Sequence, residues 1–170
     1  MVKSSNQMKN MIEDWIKIIG IKYENSTQKV QSQHPQVEWQ FLIGEALHVT
    51  KMSGRNDRTD IHYAIGFPDQ VKNVFNVSEK SSIELLHEIN GFLTSLGLSY
   101  NWIIENNHVT GLDIRTYVDE EELNRPTFYR IWDKVTSTSN HVMKTIMLRL
   151  GQQSPVVTKM TDTSGKDMYH

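Results

Sequence analysis

Apolar residues recur at three- and four-residue intervals near the start of the chain. Met8, Met11, Ile12, Trp15, Ile16 and Ile19 form one stripe, with Lys9, Glu13 and Lys17 opposite. That spacing predicts an amphipathic helix beginning near Ser5. Gly20 stands where a glycine in the left-handed conformation would end it. Residues 25–36 are polar, aperiodic and end in His34-Pro35, which reads as a loop. The period then falls to two. Val37, Trp39, Phe41 and Ile43 alternate with Glu38 and Gln40; residues 46–52 return with Leu47 and Val49 inward; Ile61, Tyr63, Ile65 and Phe67 alternate with His62 and Ala64. Three half-buried strands follow from this pattern. Their short connections, Gly44-Glu45 and the hydrophilic residues 53–59, make the meander antiparallel.

Pro68 stops the third strand and opens a short helix through Phe75. Ser81 and Glu84 have the spacing of a capping box, ahead of a helical stripe of Ile83, Leu86, Ile89, Phe92 or Leu93, and Leu96 that Gly97 ends. Leu98, Tyr100, Trp102 and Ile104 predict a fourth strand. Asn106-Asn107 fits a two-residue turn, because asparagine tolerates positive φ, and residues 108–118 return as a fifth strand. Pro126 belongs in the first turn of a long helix, where its missing donor costs little. Phe128, Ile131, Trp132, Val135, Val142, Ile146 and Leu150 mark that helix's buried face, with Gly151 as its end. Its midsection, Thr136-Ser-Thr-Ser-Asn140, has low helix propensity and predicts a kink or break. The expected fold is therefore α+β: a five-stranded antiparallel sheet packed by helices on one side, in the order α-βββ-αα-ββ-α. Residues 1–151 would form a single domain, and the polar residues 152–170 a disordered C-terminal tail.

This element order resembles the type III secretion chaperone-like fold, and within it uncharacterised archaeal proteins of similar length. Residues 60–150 carry the resemblance. They hold a strand ending in Phe67-Pro68, a short helix, Val77-Ser-Glu-Lys-Ser before the next helix, Trp102-Ile-Ile104, and an acidic stretch leading into the long helix. The likeness lies in element order and apolar pattern rather than in fixed residues. It implies a dimer that holds a partner segment against its surface without enzymatic activity, and it brings no catalytic residue with it. Secretion chaperones are usually more acidic than this chain, whose formal net charge is -2.

The near-neutral balance also gives no global field to attract polyanions, which argues against a nucleic-acid binder. With no cysteine, disulfides, thiolate zinc sites and cysteine nucleophiles are all excluded. No apolar run approaches the roughly 20 residues of a membrane span, and no apolar segment of a signal peptide precedes the first helix. A cytoplasmic protein is expected, which makes the sequons at Asn25 and Asn76 chance occurrences.

Chemistry-bearing residues are sparse. None of the seven histidines forms His-Glu-x-x-His or His-x-His. The best constellation is His48 and His62 on adjacent strands with Asp60 nearby, and its expected role is the ordinary polar face of a sheet. Asn56, Asp57 and Asp60 lack the glycine-turned, twelve-residue loop that binds calcium. The acids at 119–122 are expected to favour the positive end of the last helix. Glu38, Glu45, Glu105 and Asp113 share a sheet face without specific spacing. No nucleophile elbow, Walker loop or dinucleotide fingerprint is present. No catalytic residue, metal ligand or cofactor is therefore assigned.

The remaining lead is the end of the last helix, apolar over more than one face and rich in methionine, an adaptable side chain at binding surfaces. Val142, Met143, Ile146, Met147 and Leu150 are the expected contact residues, unless the first helix or residues 68–75 cover that face within one subunit. The function expected is a non-catalytic, chaperone-like protein-binding module. It would be a homodimer through a sheet edge or the last helix, and would capture a partner segment along an exposed strand or against the helix. Two alternatives stand beside it: a small-molecule-binding protein with a pocket between sheet and helices lined by Trp39, Trp102 and Trp132, and an enzyme centred on His48, His62 and Asp60.

Overall fold

A computed structural model describes residues 4–55 and 58–150. The elements in chain order are α1 (Ser5–Ile19), β1 (Tyr23–Asn25), α2 (Thr27–Gln31), β2 (Val37–Ile43), β3 (Leu47–Met52), β4 (Arg58–Gly66), α3 (Asp69–Lys72), α4 (Lys80–Ser95), β5 (Ser99–Glu105), β6 (His108–Asp119) and α5 (Arg125–Arg149). The fold is a mixed α+β one with an antiparallel sheet in the order β1-β2-β3-β4-β6-β5. That makes six strands, not five, and one helix more than the periodicity predicts. Both additions fall in residues 25–36 and the turn before them. Neither a three-residue strand nor a five-residue helix is long enough to show a period.

Pairing, not propensity, creates these two elements. In β1, Tyr23 lies opposite Ile43 and Asn25 opposite Phe41. Where β1 stops, α2 takes over the edge of β2. The Ser26 N–H donates to the Gln40 carbonyl (3.0 Å), the Gln40 N–H donates to Thr27 Oγ1 (3.0 Å), and Gln31 Nε2 donates to the Val37 carbonyl (2.7 Å). The backbone groups that an edge strand leaves unpaired are thereby satisfied.

The sheet has two unlike faces. Phe41, Val49 and Ile61 form one row across β2, β3 and β4, and Ile43, Leu47, Tyr63 and Ile114 form the next. These rows join Met8, Ile12 and Ile16 of α1, Val71 of α3, Leu85, Ile89 and Leu93 of α4, and Phe128, Val135, Val142 and Ile146 of α5 in one buried cluster. Four helices thus cover one face, and the six-strand sheet is the floor of the core. Successive side chains of a strand point to opposite faces, so Gln40, His48, Thr50, Asp60, His62, Asp113 and Arg115 lie on the other.

Several local expectations meet the structure. Gly20 closes α1 at φ +75°, Asn106 and Asn107 form the β5–β6 turn at φ +50° and +66°, and Pro126 sits in the first turn of α5. The capping box, however, belongs to α1. There Ser4 Oγ accepts from the Gln7 N–H while Gln7 Oε1 accepts from the Ser4 N–H. Helix α4 begins a residue before Ser81, after Glu79, with no side-chain cap. Nor does α5 break at 136–140: Ser139 Oγ donates to the Val135 carbonyl (2.7 Å), and Thr138 and Ser139 are buried as small residues on the packed face. Gly111 on β6 lies under Ile103, and a Cβ there would stand 2.6 Å from the Ile65 carbonyl oxygen. Only glycine permits this approach of β4 to β6. Gly151 and residues 152–170 lie outside the described residues, as do Asn56 and Asp57.

Candidate functional site

The apolar end of α5 divides in two. Val142 and Ile146 are enclosed in the core of the subunit, while Met143, Met147 and Leu150 are half-buried against it and Leu148 is 69% exposed. Helix α4 lies beside this end, where Phe92 packs on His141 with ring centroids 4.8 Å apart and Arg149 pairs with Glu88 at 2.8 Å, and Val142 and Ile146 belong to the buried cluster shared by α1, α3, α4 and the sheet. A partner could reach Met143, Met147, Leu148 and Leu150, but not Val142 or Ile146.

The tryptophans do not meet in a common pocket. Trp39 donates to Ser5 Oγ (3.1 Å), Trp102 donates to Asn90 Oδ1 (2.8 Å) and packs on Phe67 and Phe75, and Trp132 packs on Phe128. All three belong to the packing between sheet and helices. A cavity of about 530 Å³ beside the start of α1 includes Trp39 alone of the three, and another of similar size lies on the opposite face of the sheet.

That uncovered face carries a groove of about 540 Å³ lined by α2, the following loop and strands β2, β3, β4 and β6. The strand register builds its floor. Gln40, Thr50, Asp60 and Tyr117 stand in one row, and Leu42, His48, His62, Arg115 and Ser99 in the next. His48 and His62 are directly opposite, and their rings stack with centroids 4.6 Å apart. Gln40 Nε2 lies 3.0 Å from His48 Nδ1. His62 Nδ1 lies 3.1 Å from Asp113 Oδ1, and Arg115 Nε donates to Asp113 Oδ2 (2.6 Å). Burial, reinforced by the charge of His62, pushes His48 down to about 4. Burial alone would raise Asp113, but its hydrogen bond to His62, the charge of His62 and the contacts of Arg115 outweigh it and hold the carboxyl below its usual range.

The expected convergence of His48 and His62 is therefore present, but its acid is Asp113. Asp60 instead faces Arg58 (3.6 Å) and Arg55 (3.9 Å). Neither imidazole Nδ1 faces a nucleophile. Among the described residues no group of three or more histidines, cysteines, aspartates and glutamates could hold a metal ion. Two floor atoms have no hydrogen-bond partner, Gln40 Oε1 and Thr50 Oγ1, on side chains only 5% and 7% exposed. Sequence reasoning missed Gln40, Thr50 and Arg115. Alternation placed Gln40 on the polar face, but the pairing of β4 with β6, separated by two helices and β5, supplies Asp113 and Arg115.

The acids at 119–122 also depart from expectation. The first turn of α5 holds no acidic residue; Asn124 Oδ1 caps it by accepting from the Thr127 N–H (3.0 Å). Glu120 turns inward instead and pairs with the buried Lys51.

Residues 8–146 match the uncharacterized conserved protein family DUF2299. The chain belongs to that family. This DUF2299 member is similar to an uncharacterized protein from Methanothermobacter thermautotrophicus at 13% identity, over 84% of this chain and 99% of that one, with a TM-score of 0.71. At such identity the likeness is one of fold. YbjN from E. coli matches at 8% identity, over 84% of this chain and 90% of that one; its TM-score of 0.45 carries no argument. No curated protein matches this DUF2299 member. None of its described helices is long and apolar enough to cross a membrane.

Proposed function

We propose that this protein is a non-catalytic protein-binding module that takes up a segment of a partner as a seventh strand against β5, in the manner of a type III secretion chaperone-like fold. The asymmetry of the two sheet edges carries this reading. On one side, β1 is three residues long and α2 satisfies the rest of the β2 edge. On the other, β5 is seven residues long, pairs among the described residues with β6 alone, and exposes Ile103 (40%) and Ile104 (50%). Proteins usually blunt such an edge with lysine, proline or a bulge. Here the irregularity falls between Ile103 and Ile104, leaving residues 99–103 in regular register. An extended peptide added there gains main-chain hydrogen bonds, with apolar side chains to set its register.

Self-association fits a different surface, the end of α5, where exposed Leu148 adjoins Met143, Met147 and Leu150. A homodimer through this patch leaves β5 free for a partner. The proposal is tested with the double substitution Ile103→Lys/Ile104→Lys, which introduces two charges at the edge. A partner purified from the native cell should cross-link to residues 99–105 and lose about tenfold or more in affinity for the variant, the loss of at least 1.4 kcal/mol, while near-ultraviolet circular dichroism is unchanged. A partner that cross-links elsewhere and binds both forms equally would refute strand addition.

A further inference from the structure

We infer that the groove on the uncovered face is a second, independent binding site, for a small organic monocarboxylate that also carries an N–H or O–H donor and an apolar group. Three features of the groove specify that ligand. First, Gln40 Oε1 is an acceptor without a donor, and Thr50 Oγ1 beside it is likewise unpartnered, both on side chains more than nine-tenths buried. Leaving such groups unsatisfied costs about 1–3 kcal/mol each, so a donor presented to Gln40 and an acceptor presented to Thr50 would be favourable. The amide is already oriented, since its nitrogen faces His48 Nδ1.

Second, among the described residues Arg55, Arg58 and Arg115 line the groove, and Asp60 in its lining and the adjoining Asp113 stand against them. One positive charge is left over, the complement of a monoanion rather than of a dianionic phosphate. Arg58 is held with its guanidinium over the Tyr117 ring, 4.9 Å from the centroid, and its Nε has no hydrogen-bond partner. A guanidinium offers paired donors that match a carboxylate. Third, Val30, Val37 and Met52 give the same groove an apolar wall. Its volume of about 540 Å³ lies within the usual span of small-ligand sites. An N-acylated apolar amino acid has all of these groups, either free or as the last residue of a peptide.

The test uses the full chain labelled with ¹⁵N and titrated in NMR experiments with N-acetyl-leucine, N-acetyl-leucinamide and 4-methylpentanoate. The first should shift amides of residues 30–34, 36–40, 50–55, 58–60 and 115–117. The second lacks the charge and the third lacks the N–H. Each should bind about tenfold more weakly, the usual worth of one charge-assisted or well-buried hydrogen bond. A peptide ending in leucine, tested with a free and an amidated terminus, separates the two sources. Tighter binding than N-acetyl-leucine identifies a polypeptide end, and weaker binding a free metabolite. Thr50→Val should weaken N-acetyl-leucine binding without altering the spectrum of the core. The inference is overturned if acid and amide bind equally, if shifts map outside the groove, or if no shift occurs at 10 mM ligand, about 2.7 kcal/mol of binding free energy.

Discussion

Lys51 points into the core side of the sheet with 1% of its surface exposed. Its ammonium donates to the carbonyls of Arg55 (2.7 Å) and Arg58 (3.1 Å) and pairs with Glu120, whose side chain is itself 9% exposed. Taking two ions out of water costs several kcal/mol each, so the pair adds little net stability, yet removing one partner leaves an uncompensated buried charge worth about 3–5 kcal/mol. Glu120→Gln leaves the ammonium its two carbonyls and should cost about 3 kcal/mol. Lys51→Met strands a buried carboxylate and deprives both carbonyls of a donor, and should cost about 4 kcal/mol. In the double variant no charge remains, so the loss should stay near that of Lys51→Met alone, a coupling of about 3 kcal/mol. Urea unfolding followed by tryptophan fluorescence reads these differences. With an m-value of about 2 kcal/mol/M, each single variant moves the midpoint down by roughly 1.5–2 M. Because the pair is enclosed, 0.5 M salt should leave the coupling nearly unchanged. Losses that add to within about 0.5 kcal/mol, or a coupling erased by salt, would refute the reasoning.

Acidification should destabilise the fold through His48. Its folded pKa lies near 4 against about 6.5 unfolded, so the unfolded chain binds the proton more readily. Stability is complete above about pH 6.5 and falls as pH drops toward 4, by less than the full shift implies because solvent screens a partly exposed ring. Asp113, also held low, adds a further loss below its ordinary range. Urea midpoints of wild type and His48→Gln between pH 7 and 4 check this, since the variant should have the flatter profile and equal slopes would contradict it. On α5 the substitutions should separate. Ile146→Asp places a carboxylate at a fully enclosed position and should unfold the chain, whereas Leu148→Asp should keep the fold and turn a dimer into a monomer. Light scattering that finds the wild type monomeric at high concentration would remove the α5 contact.

The long periodic elements were legible in the sequence because each buries one face. Met8, Ile12 and Ile16 announce α1; Trp39, Phe41 and Ile43 announce β2; and the turn at Asn106-Asn107 follows from the tolerance of asparagine for positive φ. What escaped depends on pairing across long separations. β1 exists because Tyr23 meets Ile43, and α2 because Gln40 needs a donor and an acceptor beyond the end of β1. The candidate site was half legible. Alternation puts His48 and His62 on one face and a short hairpin brings them together, but nothing local says that β6 inserts between β4 and β5. The acid that joins them is therefore Asp113 rather than nearby Asp60. The apolar arc at the end of α5 was read without its neighbours, so Val142 and Ile146 looked available when both lie in the shared core.

The α2 seal along β2 limits how large an assembly these strands could build. A sheet with two long edges can be extended by copy after copy into a fibre, whereas here one edge strand has three residues and the other seven. Whatever joins at β5, whether a foreign segment or a twin subunit, takes the longer edge, and the far side offers the three-residue β1 for further growth. A long, partly greasy border can thus stay available for recruitment without seeding runaway polymerisation.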